Sequence, residues 1–142
     1  MVKVLFINHG VTSRLAAKTA LKKTLLSLFH NEGVPLNELT VIFCSDPYLR
    51  KINKKFLQHD YNTDVITFPL SENGEPVVGE IYVSPVRVRE NARIYKSPYH
   101  TEMHRVVIHG ALHLCGYLDH TPRQKALIRK KEDQYLEMIG ST

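Results

Sequence analysis

HGALHLCGYLDH, residues 109–120, is the stretch from which the rest of the chain can be read. Its two histidines, His109 and His113, stand four residues apart, a spacing that sets both on one face of a helix, one above the other. Two imidazoles in that relation can grip one metal ion from the same side. Gly116 offers a helix end, since glycine adopts the left-handed conformation that a C-terminal cap needs. The chain can then turn back and present a third donor, either Asp119 or His120. Two histidines and a third N or O donor, with water in the remaining position, form the usual set of a catalytic zinc site. The stretch therefore predicts a long helix carrying one zinc ion per chain and able to activate water.

The spacing is similar to the zincin pattern HExxHxxGxxH, with His109, His113 and Gly116 on its first, second and glycine positions. Its last ligand position falls on Asp119, which favours Asp119 over His120. An extra residue in the turn would bring His120 inward instead. Gly110 stands where that pattern keeps its glutamate base, which argues against a peptidase. A base or proton shuttle then has to come from elsewhere, and Glu80 and Asp64 are the candidates. Each also has an ordinary role open to it, Glu80 as a strand carboxylate and Asp64 as a turn cap. Gly110 costs the helix about 1 kcal/mol against alanine, so its presence between two site histidines points to close approach by backbone or substrate.

The bulk properties fit a hydrolase of this kind without demanding one. At 142 residues the chain is expected to form one domain, 1–142, burying roughly two-thirds of its unfolded surface. Cys44 and Cys115 form no CxxC and sit in apolar surroundings, the pattern of free thiols in a reducing compartment. No run approaches the ~20 apolar residues of a membrane span, and the start, MVKVLFINHG, reads as a strand rather than a signal peptide. A cytoplasmic protein without membrane contact is expected. The net charge of +5 is compatible with a nucleic-acid substrate.

Apolar, β-branched residues predict strands at 2–8 and 38–45. Between them a helix over about 13–30, capped by Thr12 or Ser13, carries Ala17, Leu21, Leu25 and Leu28 at helical spacing. Four capping-residue–proline pairs follow: Asp46-Pro47, Ser84-Pro85, Ser97-Pro98 and Thr121-Pro122. Each marks a helix start, because proline suits the first helical position and the residue before it can cap. The helices are expected at about 47–56, 85–95, 98–114 and 122–138. Strands at 65–70 and 77–84 flank SENGEP, where Asn73-Gly74 favours a primed hairpin turn. The order β-α-β-α-β-β-α-α-α describes an α/β or α+β domain, with a small mixed four-stranded sheet packed by helices and the metal motif on a long helix.

Taken together, Asn53, Thr63-Asp64-Val65 with Phe68, Gly79-Glu80-Ile81 with Ser84, and His109-Gly110-x-Leu112-His113-Leu114-x-Gly116-Tyr117 resemble the YbeY family over about residues 40–125. These are bacterial rRNA maturation factors described as metal-dependent endoribonucleases. The resemblance implies a zincin-like fold, zinc held by three residues of the motif, and cleavage of single-stranded RNA. It also implies a part in 16S rRNA 3′-end maturation and ribosome quality control, with the small ribosomal subunit or its proteins as partners. The family's third ligand is usually a histidine after Gly-Tyr-Asp. This chain reads Gly-Tyr-Leu-Asp-His, so the slot holds Asp119 by count from His113 and His120 by the Asp-His match.

The family's Tyr-Arg pair, whose arginine is thought to serve catalysis, is Phe56-Leu57 here, and leucine cannot clamp a phosphate as a guanidinium does. Lys54, Lys55 or His59 would have to substitute. Lysines and arginines around 51–55, 87–96 and 123–131 could hold RNA phosphates, and Tyr61, Tyr99 and Tyr117 could stack on bases. His59, His100 and His104 read as surface or second-layer groups. The rival readings are a metallopeptidase-like hydrolase and a non-catalytic RNA-binding assembly factor with structural zinc.

Overall fold

Leu39, Val41 and Phe43 alternate along one strand with Thr40 and Ile42, and that alternation sorts the whole structure into two faces. The structure is a computed structural model and describes residues 1–140; Ser141 and Thr142 lie outside the described residues. Its elements follow the expected order: β1 (Lys3–His9), α1 (Lys18–Asn31), β2 (Leu36–Cys44), α2 (Asp46–Leu57), β3 (Val65–Pro69), β4 (Val77–Val83), α3 (Pro85–Ile94), α4 (Tyr99–Leu114) and α5 (Pro122–Gly140). The sheet runs β1-β2-β4-β3, with β1, β2 and β4 parallel and β3 antiparallel at the edge. One face, bearing Val41, Phe43, Ile81 and Val83, meets α1, α4 and α5 in the main core. The other buries Cys44 and Ile66 under Leu49 and Ile52 of α2, with Phe68 and Tyr82 half-buried beside them. No helix among the described residues is long and apolar enough to cross a membrane. Both cysteines are free.

Three of the four proline-marked starts carry a side-chain cap. Ser84 accepts from the Arg87 N–H at 3.2 Å, and Thr121 from the Gln124 N–H at 3.1 Å. At the first, Ser45 rather than Asp46 caps, accepting from Tyr48 N–H at 3.2 Å. Asp46 is instead inside the helix, where its carboxylate receives Ser84 Oγ at 3.0 Å and Arg87 at 2.6 Å. Ser97 caps nothing; Pro98 itself holds the cap position of α4. The helix expected from residue 13 begins only at Lys18, after Ala17 in the left-handed region. Residues before it form a connection pinned by buried His104, whose Nε2–H donates to Ala16 O at 2.7 Å. His104 is therefore a packing residue rather than a surface one. The SENGEP turn is not primed, since Asn73 is absent from the positive-φ residues and Gly74 alone, at φ +89°, makes the reversal.

The long helix α4 can lie close to β4 because two glycines face large side chains. A Cβ on Gly110 would stand 2.8 Å from Ile81 Cγ2 and 3.0 Å from its Cδ1, and Ile81 is fully buried. The close approach expected at Gly110 is thus made by a strand side chain. The same contact explains the missing zincin glutamate in physical terms, because position 110 points into the sheet. Gly79 faces Leu114 in the same way, at 2.7 Å from one terminal methyl carbon.

The turn after α4 is held from outside the sheet by Glu32, just past the end of α1. Its carboxylate receives the Tyr117 hydroxyl at 2.6 Å, the Tyr135 hydroxyl at 2.6 Å and Lys131 Nζ at 3.3 Å. Three elements distant in sequence are tied by one carboxylate. Burial alone would raise its pKa, but the donors of Tyr117, Tyr135 and Lys131 outweigh burial and hold it below the ordinary 4.5.

Two consequences are measurable by chemical denaturation. Gly110→Ala gains up to about 1 kcal/mol of helix propensity but forces Ile81 to move, an overpacking loss of about 1–3 kcal/mol, so its midpoint should fall. Gly79→Ala, which meets only the mobile end of Leu114, should lose less, and an unchanged or raised midpoint for Gly110→Ala would contradict the packing. Glu32→Gln should lose about 1–3 kcal/mol at neutral pH. Because the folded-state pKa of Glu32 lies below the unfolded one, its contribution is complete above about pH 4.5 and fades as pH falls through the folded value. The gap between wild type and Glu32→Gln should therefore narrow on acidification; a gap constant from neutral pH to about pH 3 would refute the assignment.

Candidate metal centre

One turn of α4 separates His109 from His113, and the geometry that follows is set by how the helix ends. Gly116, at φ +102°, takes the left-handed position past the cap. Its N–H donates to His113 O at 3.0 Å, and the Tyr117 N–H donates to Leu112 O at 3.1 Å. This pair of bonds is the Schellman arrangement that satisfies a helix's last carbonyls and reverses the chain. The reversal returns Asp119 to the histidines: its Oδ2 lies 3.3 Å from His109 Nε2 and 3.3 Å from His113 Nε2, and the two Nε2 atoms are 2.9 Å apart.

Both rings are turned by their other nitrogens. His113 Nδ1 donates to Tyr117 O at 2.8 Å, and His109 Nδ1 donates to Glu132 Oε2 at 2.6 Å. With the Nδ1 protons so engaged, each neutral ring presents an Nε2 lone pair. Two lone pairs and a carboxylate oxygen then converge on one point, an arrangement that a cation resolves. Donors on a tetrahedral ion at about 2.1 Å stand about 3.4 Å apart, close to the spacing found. His109, His113 and Asp119 could therefore hold a metal ion. Burial alone would lower the His109 pKa; the hydrogen bond and charge of Glu132, with the charges of Asp119 and Asp64, outweigh it and raise the value. The local field thus favours positive charge at this point.

A further layer stands behind the histidines. Glu132 is 4% exposed and also accepts from Arg105 Nη1 at 3.0 Å, while Arg105 Nη2 reaches Asp133 at 2.7 Å. Carboxylates that orient a ligating imidazole commonly also tune its basicity. Sequence reasoning singles out neither residue: the basic character of α5 masks Glu132, and Arg105 stands among the packing positions of α4. The available signal was helical spacing: Ile128, Glu132 and Tyr135 recur on one face, so a carboxylate sits in a buried stripe.

The other predicted residues fall differently. Asp64, on the turn into β3, lies beside the cluster; it accepts from Asn91 Nδ2 at 3.2 Å, and its carbonyl takes the Ser84 N–H at 3.0 Å. Burial raises its pKa against the lowering influence of His109 and of its hydrogen bonds. Glu80 is on the opposite face of the sheet, beside Phe68 and receiving the Tyr82 hydroxyl at 3.1 Å, and the strand alternation keeps it from the cluster. His120 is exposed, and its backbone N–H donates to Gln124 Oε1 at 2.9 Å in the cap of α5. It lines the cleft without joining the donor triangle.

The triangle opens on a cleft of about 670 Å³ bounded by β3, the end of α4 and residues 57–63. Leu57 lines it at the position of the family arginine, and so does His59, which stacks on Tyr61 with ring centroids 5.2 Å apart. Lys54 pairs with Asp60 at 3.9 Å and Lys55 lies over the Phe56 ring, so of the three possible substitutes only His59 borders the cleft. Tyr117 is committed to Glu32, and Tyr99 carries the Arg89 guanidinium at 4.2 Å. Tyr61 remains exposed.

Comparison with known proteins bears on what this arrangement is. The sequence model of a family described as Endoribonuclease YbeY matches residues 8–140. An Endoribonuclease YbeY of Chlorobium phaeovibrioides is 42% identical over 133 residues, covering 94% of this chain and 89% of that protein. One of Porphyromonas gingivalis is 37% identical over 142 residues, covering 100% of this chain and 93% of that protein. The solution structure of TM1509 from Thermotoga maritima is similar with a TM-score of 0.68 at 33% identity, covering 96% of this chain and 88% of that one. With the histidine pair, the glycine cap and the returning carboxylate in one frame, this likeness reaches beyond the motif to nearly the whole fold, and the chain belongs to the YbeY endoribonuclease family.

Proposed function

We propose that this chain is a metal-dependent endoribonuclease that cuts single-stranded RNA during 16S rRNA 3′-end maturation and ribosome quality control, in the cytoplasm and in contact with the small ribosomal subunit or its proteins. The observation that carries the reading is the convergence of His109 Nε2, His113 Nε2 and Asp119 Oδ2, with spacings of 2.9 and 3.3 Å, at the floor of an open cleft. The names of the relatives supply the reaction class. Zinc is the ion this borderline N, N, O set suits best. A zinc ion in that position supplies a lowered water pKa and a Lewis acid for the phosphoryl oxygen.

The chain's own residues do the rest. Glu132 and the Tyr117 carbonyl hold the two imidazoles in the ligating tautomer. Asp64, the buried carboxylate beside His109, takes the proton of the attacking water, and its raised pKa suits a base that must work nearer neutrality. Glu80, on the far face of the sheet, has no part in this reading. His59 and Tyr61 border the path of the RNA.

Variants read by metal analysis, thermal melting and cleavage of labelled single-stranded RNA test each role. His113→Ala and Asp119→Ala should lose zinc and cleavage while melting as wild type in EDTA, whereas His120→Ala should keep both. Loss of zinc from His120→Ala with retention in Asp119→Ala would overturn the ligand set. Glu132→Gln should weaken zinc binding about 10–100-fold. Asp64→Asn should slow cleavage about a hundredfold with metal content unchanged, and a normal rate would remove it from the mechanism.

A further inference from the structure

On the other side of His109 the cleft continues into a second cavity of about 390 Å³, between α3, α4 and α5. Asp64, Val65, His109 and Asp119 line both, so the two cavities meet at the donor triangle. Glu102, Val106, His109 and His113 form one stripe along α4. Glu102 thus sits two turns, about 10 Å, from His109, a span that a single nucleotide can bridge.

Glu102 stands in the first turn of α4, within the fields of Arg105 and Arg129. It is 7% exposed and lines the second cavity, yet its carboxylate makes no hydrogen bond or ion pair among the described residues. Arg105, one turn along, spends Nη1 on Glu132 and Nη2 on Asp133. The carboxylate opens into the cavity with only the charges of Arg105 and Arg129, beyond ion-pair distance, set against its burial, so a ligand that brings N–H donors is favoured there. Burial already lifts its pKa above the ordinary value.

The rest of the cavity indicates which ligand. Lys125 and Arg129, one turn apart on α5, line it and make no ion pair among the described residues. Tyr95 lines it too, 65% exposed and without a ring contact among those residues. Cations for phosphate, an open aromatic face and a deep acceptor together match a nucleotide with N–H groups on its base edge. A second metal ion fits less well, because His109, His113 and Asp119 are the only three donors that converge among the described residues.

Resting on the nuclease reading, we propose that this second cavity recognises an unpaired guanine next to the cut, its N1–H and N2–H donated to the Glu102 carboxylate, its ring against Tyr95 and its phosphate held by Lys125 and Arg129. Guanine presents two adjacent donors on that edge. Uracil presents one N–H between two carbonyls that the carboxylate would repel.

Fluorescence anisotropy in EDTA, where metal-dependent cleavage is silent, tests this on the intact chain with labelled single-stranded octauridylate and the same octamer bearing one guanosine or one inosine. Wild type should bind the guanosine octamer about tenfold more tightly than octauridylate, with inosine, which lacks the N2 amino group, in between. Glu102→Gln should erase the preference, with octauridylate affinity unchanged and a melting temperature no lower than that of wild type. Equal wild-type affinity for guanosine and uridine octamers, or a preference that survives Glu102→Gln, would overturn the proposal. Cleavage with zinc added is read separately: guanine preference without cleavage would leave the recognition pocket standing and defeat the nuclease reading.

Discussion

Two imidazole nitrogens and a carboxylate oxygen aimed at one point are an electrostatic problem until something positive stands between them. The fold creates that problem deliberately, in the sense that every neighbouring bond maintains it. Glu132 and the Tyr117 carbonyl occupy the outer nitrogens, so the inner lone pairs cannot turn away. The Gly116 reversal returns the chain so that Asp119 faces both rings. Removing any of these leaves the histidines adjacent but free to reorient, and adjacency alone does not make a site.

The supporting structure is spread widely along the chain. Gly110 lets α4 settle on Ile81, which fixes the height of the histidines above the sheet. Glu32 gathers Tyr117, Tyr135 and Lys131 and so ties the motif turn and α5 to the end of α1. Because Tyr117 contributes both a hydroxyl to Glu32 and a carbonyl to His113, strain at the periphery reaches the donor triangle through one residue. α5 serves twice, with Tyr135 in the clamp and Glu132 behind His109, which explains why a helix so basic on its outer side carries a buried carboxylate.

Much of this was legible in the residues. The i, i+4 histidines and the glycine cap need only helical geometry, the zincin-like spacing favours Asp119 over His120 without deciding between them, and the strand and helix order follows from periodicity and proline punctuation. What escaped was information held between elements. Glu80 and Asp64 looked equivalent as carboxylates near strands, and only the pairing of β3 with β4 assigns them to different faces and ends. Thr12 and Ser13 have capping chemistry, yet the chain stays open to Ala17, where the buried His104 holds its carbonyl neighbour Ala16. Asn73-Gly74 fits a primed turn, but β3 ends at Pro69 and β4 begins at Val77, leaving a loop too long for one. In each case local preference gave way to a contact that local sequence does not encode.

X-ray absorption of the zinc-loaded chain at the metal edge addresses the central claim most directly, because it counts and types the ligands without relying on activity. The account predicts two imidazole nitrogens, one carboxylate oxygen and one further exchangeable oxygen near 2 Å. A shell of three imidazoles would mean that His120 displaces Asp119, and four protein ligands with no exchangeable oxygen would mean that the ion is structural; either spectrum would contradict the site described.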